Sequence, residues 1–123
     1  MASKTVLMSA FFEQLTSFVN ELSAMYPDDP DFSLFSTTIT LMKMTNPSMI
    51  IKYVNDNAAP YEDKILARNE DFFLGHSFDE YSSHVNMDIF GKLKDYIVNM
   101  SPDSKKSVWK YIENITRVAK MLR

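Results

Sequence analysis

Four of the five prolines, Pro30, Pro47, Pro60 and Pro102, each stand at the head of a stretch whose apolar residues recur at helical spacing. Proline has no amide proton and a fixed φ, so it is welcome in the first turn of a helix and disruptive further in. The prolines therefore cut the chain into helix-length pieces. Two glycines in the whole sequence leave little material for the tight turns of β-hairpins. The expectation is an all-α fold: a compact single-domain bundle of about six helices over residues 1–123, with short connections that start on proline.

Ahead of Pro30, Met8, Phe11, Leu15, Phe18, Leu22 and Met25 mark one face of a helix from about Thr5 to Met25. Phe12 and Val19 widen that stripe beyond a coiled-coil seam, toward an ordinary core face. Asp29 reads as an N-cap before Pro30, and Phe32, Phe35, Ile39 and Met42 carry a second helix to about Thr45. Its run Thr37, Thr38, Ile39, Thr40 has strand propensity and gives the weakest helical signal in the chain. Asn46 and Pro47 predict a tight corner, with the asparagine either left-handed or capping a third helix that runs to about Asp56 on Ile50, Ile51, Tyr53 and Val54. Pro60 opens a fourth helix, with Glu62 and Asp63 in its first turn and Tyr61, Ile65 and Leu66 inward. Asn69, Glu70 and Asp71 are expected to break it, leaving Phe72, Phe73 and Leu74 as a hydrophobic plug in a loop before Gly75. Ser77 and Glu80 match a capping box, and Ile89, Phe90, Leu93, Ile97 and Met100 carry a helix from about Met87 to Met100. Gly91 weakens it by ~1 kcal/mol relative to alanine. Ser101 and Pro102 start the last helix, lined by Val108, Ile112, Ile115, Ala119 and Leu122, with Trp109 and Tyr111 alongside.

A chain of 123 residues with 46% hydrophobic and 24% charged residues is long enough for one packed core. No cysteine is present, which removes disulfides, thiolate nucleophiles and cysteine-bound zinc. No run of ~18 apolar residues occurs, so a transmembrane segment is not expected, and the simplest location is intracellular and soluble.

Candidate chemistry is sparse. His76, Glu80 and His84 have a spacing that would stack on one helix face and suit a metal, but a cap at Ser77 would leave His76 outside that helix. Neither a phosphate-binding glycine loop nor a metalloprotease helix motif is present. The acid pairs Asp28 with Asp29, Glu62 with Asp63, and Glu70 with Asp71 are adjacent in sequence and do not face one another. A site assembled from His76, Glu70 and Asp71 is the weakest possibility. The expectation is a chain that is not an enzyme, with no catalytic residue, cofactor or metal site.

Charge is the remaining signal. The net charge of −3 is small, yet residues 102–123 carry six basic and two acidic groups. Lys106, Lys110, Arg117 and Lys120 form a row on the last helix and are the candidate partner surface, with Glu113 placed to pair with Lys110 and Arg117. Such a row is ordinarily a solvated face; as a contact it would meet an acidic protein or nucleic acid.

The succession Asn46, Pro47, Ile50, Ile51, Tyr53, Tyr61, Ile65 and Asn69 to Phe73 resembles a group of small helical proteins encoded by large nucleocytoplasmic DNA viruses of algae and protists. Phe11 to Tyr26 and Val108 to Tyr111 are similar to the same family's flanks. The resemblance implies a viral protein made in the host cytoplasm. Combined with the aromatic-rich helical core and the missing catalytic apparatus, it gives the expectation of a non-enzymatic minor virion or assembly component, at the viral assembly site or in the virion, in contact with other viral proteins or with a second copy, and nucleic acid is not the expected partner. A regulatory factor working through the basic last helix is the alternative. Where that family shows an acid, Asn69 stands here.

Overall fold

A computed structural model of the chain describes residues 3–75 and 89–123. Helix α1 spans Lys4–Met25, α2 Pro30–Thr45 and α3 Pro47–Ala58; a 3-10 turn, Ala59–Tyr61, leads to α4, Glu62–Leu66. Then come α5, Glu70–Gly75, α6, Ile89–Ile97, and α7, Pro102–Met121. No strand occurs among the described residues, so the all-α reading holds. His76, Ser77, Glu80 and His84 lie outside the described residues.

The long helices close a ring in which α1 packs on α2 and α7, and α3 packs on α2 and α7. Phe11, Phe12, Val19 and Leu22 of α1, Phe32 and Ile39 of α2, Ile50 of α3, and Leu93 and Ile97 of α6 are fully buried within it. Each such side chain contributes about 1.5–3 kcal/mol by leaving water. The burial of Phe12 and Val19 beside the main stripe makes α1 a broad core face, as its pattern predicts. Serine hydroxyls cap both outer helices: Ser3 Oγ accepts the Val6 amide at 3.2 Å, and Ser101 Oγ accepts that of Ser104 at 3.2 Å.

Helix α2 survives its strand-prone run by a local device. The hydroxyls of Thr37, Thr40 and Thr45 donate to the carbonyls of Ser33, Ser36 and Leu41, four residues back, so these three hydroxyls are satisfied within the helix. Phe32 and Ile39 supply the burial that overrides propensity.

Boundaries differ from expectation at four places, the last of them the end of α6, which stops at Ile97 rather than about Met100. Asn46 is neither left-handed nor a side-chain cap: its φ is −156°, its amide donates to Met42 O at 2.8 Å and its carbonyl accepts Met49 N at 3.2 Å. The corner is thus made by backbone alone. Helix α3 runs on to Ala58, and Pro60 sits in the 3-10 turn rather than at the head of an α-helix, which begins at Glu62. The third difference is the largest. Asn69 starts a helix, its Oδ1 accepting the Phe72 amide at 2.9 Å and its carbonyl the Phe73 amide at 3.1 Å. Glu70 and Asp71 then occupy the positive first turn of α5, and the expected aromatic loop is helical. Phe73 is buried against the edge of Trp109 at 5.9 Å, and Phe72 packs near Tyr61 at 5.0 Å.

The interruption between α4 and α5 falls one residue earlier, at Arg68, whose φ of 55° is left-handed. The Arg68 amide donates to Ile65 O and the Asn69 amide to Lys64 O, both at 3.0 Å, which together make the two-bond C-terminal closure usually completed by glycine.

Candidate interaction face on helix α7

Val108, Trp109, Ile112, Ile115, Thr116 and Ala119 bury one side of α7, which fixes the azimuth of the other. Lys106, Lys110, Arg117 and Lys120 are exposed along it, within about 80° of one another at 100° per residue. The row predicted from the sequence is therefore one physical stripe, but its members are not equivalent. Lys120 Nζ reaches Glu62 Oε1 of α4 at 2.8 Å, with Arg123 3.9 Å from the same carboxylate. Beside the stripe, Lys105 pairs with Glu70 of α5 at 3.0 Å. Lys106, Lys110 and Arg117 have no carboxylate within ion-pair distance among the described residues. The uncompensated charge thus lies on three residues, not four.

Glu113 does not interleave with the stripe as expected. Its phase on α7, four residues after Trp109 and three before Thr116, turns it to the interior, where it is 7% exposed. Its partner is Arg68, whose Nε and Nη2 donate to Oε1 and Oε2 at 3.2 and 2.9 Å in a two-pronged pair. That hydrogen bonding holds the Glu113 carboxyl below its ordinary range and raises the Arg68 guanidinium; Lys110 and Arg117 act on Glu113 only as more distant charges. An acid at a core phase of a helix demands such a cation, and this was the one sequence signal for it. The 45 residues separating the two concealed which cation it would be.

A cleft of about 660 Å³ lies beside the stripe, lined by Gln14 of α1, Arg68, and Asp103, Lys106, Ser107, Lys110, Tyr111 and Asn114 of α7. Its floor is firm, because the Tyr111 ring stacks on Phe18 at 5.3 Å and Ser107 Oγ donates to Glu21 Oε1 at 3.2 Å. Burial and the neighbouring Glu21 carboxylate push the Tyr111 phenol up, so it stays a neutral donor. The lining residues offer amide, hydroxyl, ammonium and guanidinium groups beside apolar side-chain surface, with Asp103 their one carboxylate.

A second polar cluster joins α2 to α6. Tyr96 Oη donates to Asp29 Oδ2 at 2.5 Å, and Lys92 Nζ bridges Asp29 and Asp31 at 3.0 and 2.7 Å. The Tyr96 hydrogen bond, the Asp31 amide and Lys92 together hold the Asp29 carboxyl down to about 2, and the same contacts raise Tyr96 and Lys92. Such a carboxylate accepts no proton at neutral pH, and its charge is answered on every side. Stacking of Tyr26 on Tyr96 at 3.9 Å completes a structural clasp. Local spacing could not have announced it, since Tyr96 and Asp29 are 67 residues apart.

Of the residues considered for a catalytic site, Glu70 is committed to Lys105, Asp71 is exposed, and His76 lies outside the described residues. Among the described residues no cluster of three or more histidines, aspartates and glutamates is arranged to hold a metal, and no helix is long and apolar enough to cross a membrane. Comparison of the chain with protein-family models, with curated proteins and with solved structures finds no match.

Proposed function

We propose that this protein acts by protein-protein contact and not by catalysis, receiving an acidic segment of its partner along Lys106, Lys110 and Arg117. The observation that carries this reading is the division of charge on α7. Lys105 and Lys120 are spent on the chain's own carboxylates, while three cations on the same rigid helix remain without one among the described residues. Cations already held by their own acids contribute little to a partner; unpaired ones beside a cleft steer an acidic chain and fix its register. The resemblance to small helical proteins of large DNA viruses supports placing that contact within virus assembly, the chain serving as a minor virion or assembly component beside other viral proteins in the host cytoplasm.

Titration of the full chain with a glutamate-rich peptide, and separately with a short DNA duplex, at two salt concentrations tests the surface. The peptide is expected to bind, and the K106E/K110E/R117E variant to lose that binding while melting as a folded protein. Preferential binding of the duplex with a steep salt slope would replace the protein partner with nucleic acid. Binding of neither at low salt removes the surface altogether. For the setting, mass spectrometry of purified particles, normalised to the major capsid protein, is expected to give a fixed copy number; absence from particles overturns the virion role.

A further inference from the structure

We propose that the cleft beside α7 receives a phosphorylated serine or threonine of the acidic partner, its phosphoryl group held jointly by Lys106, Lys110 and Arg68; this rests on the reading of α7 as an acid-binding face and names the group that the face selects. Lys106 and Lys110 stand one turn apart on α7, about 6 Å along its axis. Both line the cleft of about 660 Å³, which Arg68 reaches from the junction of α4 and α5. Neither lysine has a carboxylate within ion-pair distance among the described residues. The Arg68 guanidinium is fixed by Glu113, which occupies Nε and one proton of Nη2. Its other edge, Nη1 with the second proton of Nη2, has no acceptor among the described residues, so a rigid pair of donors is left over. Against these three cations the lining sets one carboxylate, Asp103, nearer the start of the helix.

Charge and oxygen count select the occupant. A carboxylate brings one charge and two oxygens, which the free edge of Arg68 satisfies alone, leaving both lysines unanswered. A phosphoryl ester brings nearly two charges and three oxygens, enough to answer all three cations at once. Arg117 then sets the register of the segment around it. It lies seven residues beyond Lys110 on α7, about 10 Å along the axis, which equals three residues of extended chain at ~3.3 Å each. An acid three positions from the phosphorylated residue therefore falls on Arg117. The phosphates of a duplex fit this face less well: tight backbone binding draws on roughly 6–10 phosphate contacts, whereas Lys106, Lys110 and Arg117 are the free cations here. The chain around them is acidic overall, with a net charge of −3.

Calorimetric titration of the full chain with peptides of one parent sequence separates chemistry from charge. The first carries phosphoserine at its centre with a glutamate three positions to either side; the second carries serine there and two further glutamates that restore the net charge. The phosphopeptide is expected to bind about tenfold tighter than its charge-matched counterpart, and Lys106→Gln and Lys110→Gln each to remove that margin while melting as the wild type does. Moving the glutamates next to the phosphoserine is expected to weaken binding severalfold in the wild type and not at all in Arg117→Gln. Equal affinity for the two peptides overturns the phosphoryl assignment and leaves the acidic-segment reading standing, whereas binding of neither removes both. A glutamate shift without effect overturns the register. Inorganic phosphate, or a short DNA duplex, that displaces the phosphopeptide at the peptide's own concentration overturns the protein source of the phosphoryl group.

Discussion

Arg68 carries two roles that pull in opposite directions. Its backbone takes a left-handed turn that costs a residue with a β-carbon roughly 1–2 kcal/mol, while its guanidinium neutralises the buried Glu113. Separating the roles gives a prediction: Arg68→Ala loses the pair and keeps the strain, whereas Arg68→Gly loses the pair and relieves it. Thermal melts are expected to rank wild type above Gly and Gly above Ala, the last two differing by about 1 kcal/mol. Equal melting of the Gly and Ala variants would show that the turn is unstrained. At Asp29 the prediction concerns acid. Its folded carboxyl titrates near 2 against an ordinary 3.8, so between those values the unfolded chain binds the extra proton. The stabilisation is fully present above about pH 4 and is lost as the pH falls toward 2. Asp29→Asn is expected to be less stable at neutral pH and to show a shallower loss over that window, measured as urea midpoint against pH. Glu113 acts with the same sign, starting below 4.5.

Elements show which physics is local. The starts of α1, α2 and α7 were legible because a cap and a periodic apolar face are properties of neighbouring residues. Ser101→Ala is accordingly expected to cost about 1 kcal/mol through the lost Ser104 amide bond, read by chemical denaturation. Phe32→Ala, at a fully buried α2 position, is expected to cost ~3–5 kcal/mol. Helix α5 was misread because Asn69, Glu70 and Asp71 suit a helix start as well as a helix stop. The choice was made by Phe73 finding Trp109, a contact invisible in sequence. The candidate surface divides the same way. Helical phase put four cations in one row, but only folding revealed that Glu62 and Glu70 claim Lys120 and Lys105, and that Arg68 claims Glu113.

At the scale of the molecule, charge and packing are segregated. The ring of α1, α2, α3 and α7 is held by aromatic and aliphatic contacts, and the Lys106, Lys110 and Arg117 charges lie outside it. Replacing all three by glutamine is therefore expected to leave stability within ~0.5 kcal/mol per site, measured by melting, even where binding of an acidic peptide is lost. The manner of ring closure also has a kinetic meaning. α1 meets α2, and α2 meets α3, across connections of a few residues, whereas α7 reaches α1 across spans such as the 86 residues between Glu21 and Ser107. Three walls of the ring, α1, α2 and α3, thus meet across short loops, and the fourth, α7, closes on α1 only over long ones that cost more chain entropy. The single tryptophan, Trp109, rides on that fourth wall and is buried only when it docks, so its fluorescence times the moment of closure.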